Sequence, residues 1–222
     1  LKFLPAISKT VQKGKLKKRL TLVQSLKCWK GLLVAKLVYG VGINDAIYTT
    51  QPMINGKQVV CPYYRTWKDM IRRCYSTKYY DKRPTYEGCS VADEWLVFSK
   101  FKAWMETQDW EGNQLDKDIL LQGNRIYSKD TCAFVSGSVN SFVLNNQAIR
   151  GEYKIGVSYN KQSCKFSAHC CDGKGVRINL GYFSTEDAAH EAWKKYKHKL
   201  ACILADEQTD LRVTAALRQR YL

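Results

Sequence analysis

The 222-residue chain carries 36 Lys and Arg against 20 Asp and Glu, a net charge of +16 with a pI near 9.4. Its hydrophobic fraction of 45% and charged fraction of 25% are those of one large or two small folded domains, which excludes wholesale disorder and a membrane class. A single-sign excess of this size points to a polyanion, and counterion release on neutralising phosphates makes nucleic acid the natural partner.

The charge is concentrated at the start: Leu1 to Asn44 contain ten Lys or Arg and no carboxylate. Lys13, Lys15, Lys17, Lys18 and Arg19 read as a basic arm that follows a phosphate backbone. Leu26, Trp29, Leu33 and Leu37 recur at helical spacing, so residues 20–38 fit a basic amphipathic helix, which a partner groove or a membrane surface could equally receive. Lys27, Lys30 and Lys36 interrupt the apolar run, which fits neither a spanning helix nor a secretory signal.

Turn chemistry at Gly40, Gly42, Asn44, Asp45, Pro52 and Asn55 opens a domain. From Tyr64 to Tyr75, Trp67, Met70, Ile71 and Cys74 fall on one helical stripe, with Arg65, Lys68, Arg72 and Arg73 as a basic outer face offered to DNA. Trp95, Phe98, Phe101, Trp104 and Met105 predict a second helix over 91–106, its aromatics serving as core rather than as stacking platforms. Two short strands around Gly123-Asn124, at 114–121 and 126–127, and then a capped helix over 128–135, suit the next run.

Gly151 begins a different texture. Strands are predicted over 153–159, 165–171 and 176–183, followed by a Ser184-x-x-Asp187 capping box and a helix over 185–205 that covers the sheet. A last helix over 210–222 presents Arg212, Arg218 and Arg220. Strand alternation places Lys165, Ser167 and His169 on one sheet face and Phe166, Ala168 and Cys170 on the other, so Phe166 reads as core. Lys165, Lys174 and Arg177 suit entry into a major groove, with Lys154 and Lys161 on phosphates.

The nine cysteines are irregularly spaced and include no C-x-x-C pair, which argues for free thiols in a reducing cytoplasm. A structural zinc site from Cys61, Cys74, Cys89 and Cys132 lacks the usual close-paired ligands, so buried thiols are the expected reading.

Tyr39-Gly-Val-Gly-Ile-Asn-Asp-Ala46, the 67–74 helix, Gly88-Cys89, Glu94-Trp95 to Trp104, and Leu115-Asp116-Lys117-Asp118 with Asn124, Tyr127 and Asn140 together resemble phage-encoded HNH-type homing endonucleases. Ile155-Gly156-Val157, Lys165 to Ala168, Leu180 to Phe183 and Thr185 to Ala189 are similar to the sheet-plus-helix DNA-binding domain of the plant ethylene-response type. The two resemblances span roughly residues 39–205.

The combined expectation is an α+β protein: a basic arm at 1–38, an HNH-like ββα-metal domain at 39–150, and a three-stranded antiparallel sheet packed on a helix at 151–222. The resemblance implies that Asp116 or Asp118 on a strand and Asn140 on a helix hold one Mg²⁺, which stabilises the leaving oxygen in phosphodiester cleavage. It also implies a general-base histidine after Asp116, where this chain has Lys117, a residue protonated at its ordinary pKa. No histidine precedes His169. Asp116, Lys117 and Asp118 read equally well as a hairpin edge facing water.

Three functions follow as expectations. The first is a metal-dependent endonuclease that nicks or cleaves double-stranded DNA. The second is a catalytically inactive DNA-binding or virion-associated derivative of such an enzyme. The third is a regulator whose N-terminal helix docks on a phage or host protein. Host cytoplasm is the expected location, and no membrane span is expected.

Overall fold

The computed structural model describes residues 37–144, 151–172 and 175–222. The basic arm with Lys13, Lys15, Lys17, Lys18 and Arg19, nearly all of the 20–38 amphipathic stretch, and Lys174 lie outside the described residues. The described chain is a mixed α+β structure with small sheets.

An Asn55-Gly56 turn, both residues at positive φ, joins the short antiparallel strands β1 (Met53–Ile54) and β2 (Lys57–Gln58). Helix α1 (Pro62–Tyr75) opens on a proline at its first turn and ends with Arg72 and Arg73 against its negative pole. After α2 (Thr77–Tyr80) and strand β3 (Ser90–Val91), the predicted second helix is found in two pieces. A 3-10 turn covers Asp93–Leu96 and α3 covers Phe98–Met105, with Val97 extended between them. The break has a cause: the Ile43 amide donates to the Leu96 carbonyl at 2.8 Å and the Phe98 amide to the Ile43 carbonyl at 2.9 Å. Val97 thus pairs with Ile43 as a β-bridge instead of continuing the helix.

α1 and α3 bury the first core. Trp67, Met70 and Ile71 meet Trp95, Phe98, Phe101 and Met105, all at most 1% exposed. Buried Trp67 satisfies its indole N–H on the Trp95 carbonyl at 2.7 Å. These aromatics are core, as their spacing predicts.

The next segment departs from the hairpin expectation. β4 (Gln114–Asp116) pairs antiparallel with β6 (Ala133–Val135), whereas β5 (Ile126–Tyr127) leaves to pair parallel with β3. The predicted helix over 128–135 is a single turn in which the Cys132 amide reaches the Ser128 carbonyl at 3.0 Å, and then the strand β6. Phe134 and Val135 prefer the pleated surface. Helix α4 (Gly137–Val143) follows, capped by the Ser136 hydroxyl on the Val139 amide.

The C-terminal sheet matches the expectation more closely. Its antiparallel order is β7 (Val157–Asn160), β8 (Lys165–Cys171), β9 (Arg177–Phe183). α5 (Glu186–Asp206) covers one face, and its cap is Thr185 on the Ala188 amide, one residue later than the predicted Ser184 box. α6 (Leu211–Gln219) is capped by Asp210. Arg212 and Arg218 are exposed but ion-paired to Asp210 and Asp206. Arg220 corrects the expectation of a free surface arginine. It is half-buried and donates to the carbonyls of Val143 at 3.2 Å and Asp118 at 3.4 Å.

A second core crosses the chain. Ile119, Ala133, Val135, Val139 and Val143 pack with Ala205, Val213 and Leu217, so the C-terminal helices bury the apolar side of the β4–β6–α4 unit. No helix among the described residues is long and apolar enough to cross a membrane.

Candidate nucleic-acid interface and the Asp116 loop

Asp116 ends β4, and its Oδ1 accepts the amides of Asp118 at 2.6 Å and Ile119 at 2.7 Å, turning the chain out of the strand. Burial holds its carboxyl above the ordinary range despite those two amides, which favour the charged form. The other oxygen, Oδ2, takes no hydrogen bond from a described residue. Lys117 is only 9% exposed. Its Nζ donates to Asp118 Oδ2 and to the Asn124 carbonyl, each at 2.7 Å, and lies 5.9 Å from the Tyr86 ring centroid. Asn124 completes the tie. Its Nδ2 donates to the carbonyls of Lys117 at 2.8 Å and Ile126 at 2.7 Å, while its Oδ1 accepts the Ile126 amide.

The loop from Asp116 to Ile126 is therefore stapled by side chains, because no strand partner satisfies its backbone. Lys117 acts there as a donor with a carboxylate and a carbonyl as acceptors. Asp118 is its counter-ion, so a cation at Asp118 would have to displace an ammonium. Asn140, on α4, donates to Gln114 Oε1 at 2.7 Å. Gln114 and Asp116 lie two apart on β4 and share a face, so Asn140 stands over the side of the strand that carries Asp116. Asp116 Oδ2 and the Asn140 amide oxygen are hard donors of the kind Mg²⁺ takes, with remaining positions left to water or phosphate. Among the described residues, no group of three or more His, Cys, Asp or Glu is placed to hold a metal. Cys74, Cys89 and Cys132 are buried and Cys61 half-buried. Burial pushes the Cys74 and Cys132 thiols up to about 12, which keeps them protonated.

The cationic residues named from the sequence separate into free and engaged groups. Arg72 pairs with Asp69 at 3.1 Å and stacks over Tyr79. Arg73 turns inward, its guanidinium 6.0 Å from the Tyr86 ring, so the outer face of α1 keeps Arg65 and Lys68 but not Arg73. Lys154 is ion-paired with Asp187, while its backbone amide donates to Glu186 Oε1 at 2.5 Å. Lys161, Lys165 and Arg177 are exposed and carry no ion pair among the described residues.

Lys165 and Arg177 lie on the sheet face turned away from α5. Ala168 and Cys170 point toward the helix and are buried, whereas Lys165, Ser167, His169 and Cys171 alternate to the other face, where Lys165 and Cys171 are exposed, His169 is half-buried and Ser167 is covered beside Ser158. Phe166 falls on the inner side as predicted, half-buried against Tyr153 and Tyr159. On β9 the outward set is Arg177, Asn179 and Tyr182. The register skips Leu180 between the pairs His169–Asn179 and Ala168–Gly181. That bulge, built on Gly181 at φ +118 with its amide on Asn179 Oδ1, delivers Tyr182 outward at 52% exposed and Phe183 inward. Plain alternation already places Asn179 beside Arg177, although the sequence reading did not single it out. Tyr182 needs the bulge, which only Gly181 hints at.

None of the three strands contains an Asp or Glu. His169 sits mid-face with Nε2 3.1 Å from Ser167 Oγ, and burial together with the Arg177 charge holds its pKa below the ordinary histidine value. The face carries its two cations at opposite ends, Lys165 beside Asn160 and Arg177 beside Cys171, with His169, Asn179 and Tyr182 between them.

Compared with known proteins, the chain matches no family model, and neither a curated protein nor a solved structure matches it.

Proposed function

We propose that the chain binds duplex DNA, and that the outward face of β7–β8–β9 is the reading surface. The observation that carries this is a three-stranded face with no carboxylate that presents Lys165, Arg177, Asn179 and Tyr182 to solvent. A sheet can enter the major groove, where Arg suits guanine and Asn suits adenine, while lysines hold phosphates. Lys161, in the β7–β8 turn, adds a phosphate contact at the edge. The net charge of +16 supplies the non-specific part of the affinity. Titrating a labelled duplex against Tyr182→Ala and Arg177→Gln tests the surface. Sequence preference is lost in both while the fold is retained; unchanged preference in both would remove the sheet from the reading.

A second reading is favoured by one observation, the side-by-side placement of Asp116 and the Gln114–Asn140 pair on the β4–β6–α4 unit. Here Asp116 and Asn140 hold a single Mg²⁺, which stabilises charge on a scissile phosphate, and the protein nicks DNA in the manner of the HNH-type enzymes it resembles. Asp118, bound to Lys117, stays outside the ligand set, and Lys117 stabilises the loop. Supercoiled plasmid with Mg²⁺ or Mn²⁺ tests this: nicking that is abolished in Asp116→Asn supports it, and intact plasmid under every metal leaves a DNA-binding protein without cleavage.

A further inference from the structure

A cleft of about 210 Å³ lies at the seam between the β4–β6–α4 unit and the C-terminal helices. Val143 and Leu144 form one wall; His190, Trp193, Lys194 and Lys197 of α5, with Arg220 after α6, form the other. The cleft is too small for a drug-sized ligand, for which sites run to about 300–1,000 Å³.

Its charge is one-sided. No Asp or Glu lines it, and all 20 acidic residues of the sequence lie in the described segments. Lys197 is half-buried with its Nζ 3.5 Å from the Phe142 ring centroid and 5.9 Å from that of Tyr221, and pairs with no carboxylate. Arg220 spends its hydrogen bonds on two backbone carbonyls and also lacks a carboxylate. Lys194 reaches Glu191 only at 3.9 Å. His190 contacts the Ile155 carbonyl through Nδ1 at 3.0 Å and stacks on Trp193, which leaves Nε2 as its other polar atom. Burial, with Arg220 nearby, holds the Lys197 ammonium below the ordinary lysine value. Cations gathered out of water without a counter-ion are costly, and an anion relieves the cost.

The geometry points to a phosphate-binding site in this cleft, with Lys197, Arg220 and Lys194 as the charge and the Trp193 side as its wall. The phosphate group comes either from a duplex backbone or from a free phosphate ion, and the site stands whether or not the sheet face reads DNA.

The test is thermal unfolding of the full chain in inorganic phosphate against chloride at equal ionic strength. Phosphate raises the wild-type Tm by several degrees; Lys197→Met and Lys194→Gln lose most of that rise, with phosphate binding about tenfold weaker. Lys199→Gln, an exposed charge on the same helix outside the cleft, keeps it. Should Lys197→Met fold poorly, Lys194→Gln at the rim carries the comparison. A full phosphate response in both cleft variants, or an equal loss in Lys199→Gln, means an adventitious ion only and overturns the site. Duplex titrations assign the source. A salt slope reduced by about 0.9 in Lys194→Gln places a backbone phosphate there, whereas an unchanged slope beside a lost phosphate response assigns a free ion.

Discussion

Lys117 donates its ammonium to the Asn124 carbonyl at 2.7 Å, and Asn124 returns its side-chain amide to the Lys117 carbonyl at 2.8 Å. This reciprocal tie holds the loop between β4 and β5 in place of a strand pairing. Removing either partner leaves buried polar groups unsatisfied. Lys117→Met and Asn124→Ala should each lower stability by about 1–3 kcal/mol, and the double variant should fall short of their sum by about 0.5–3 kcal/mol. Urea unfolding of the four proteins measures the coupling. Additive effects would mean that the two side chains act separately.

Asp116 makes an opposite prediction for two substitutions at one position. Its Oδ1 serves two backbone amides, yet burial raises the pKa of its carboxyl. An asparagine oxygen accepts the same amides without the charge. Asp116→Asn should therefore match or exceed wild-type stability at neutral pH, while Asp116→Ala, which orphans both amides, should lose about 1–3 kcal/mol. Because a raised folded pKa means that stability falls as pH rises through the carboxylate range, the gain in Asp116→Asn should vanish on acidification. Chemical denaturation at neutral and acid pH checks both signs.

Gly156 marks where α5 meets the sheet. It adopts φ +80, and a Cβ there would lie 2.1 Å from Trp193 Cδ1. Gly156→Ala should cost about 2–5 kcal/mol, the sum of a left-handed backbone and overpacking against a buried ring. Gly56 in the β1–β2 turn has φ +72 but open space around it. Gly56→Ala should cost only the backbone part, about 1–2 kcal/mol. Comparing the urea midpoints of the two variants separates the terms.

His169 predicts a pH dependence. Burial and Arg177 hold its folded pKa below the ordinary value of about 6.5. The unfolded chain then takes up a proton that folded His169 refuses, so its contribution is present above about pH 6.5 and is lost as pH falls through the folded value. His169→Gln should flatten that part of the stability profile, and Arg177→Gln should raise the His169 pKa seen by NMR. A wild-type profile in His169→Gln would contradict the account.

The sequence revealed most where one period ran long. The Trp67–Cys74 stripe, the Thr185 helix and the three C-terminal strands obey simple periodicity because each buries one continuous apolar face. The errors fall where a distant residue intervenes. Ile43 pulls Val97 out of a helix whose aromatic spacing is otherwise regular. The Lys117–Asn124 tie sends Ile126–Tyr127 to β3, so the strand after β4 in space is Ala133–Val135. The candidate site shows the same division. Lys165 keeps the face that alternation along its strand predicts, whereas Arg177 joins it only through the β8–β9 register, and Arg73 turns inward toward Tyr86, and Arg220 toward Val143 and Asp118, through contacts that local spacing does not encode.

DNA binding by the sheet face is tested by the salt dependence of duplex binding, by anisotropy between about 50 and 200 mM salt, for the wild type and for Lys165→Gln/Arg177→Gln. With both side chains on phosphates, the double variant should bind more weakly and lose about 1.8 from the slope of log K against log salt; with Arg177 on a base, the loss should be nearer 0.9. A double variant with wild-type affinity and wild-type slope would contradict the sheet face as the DNA-binding surface.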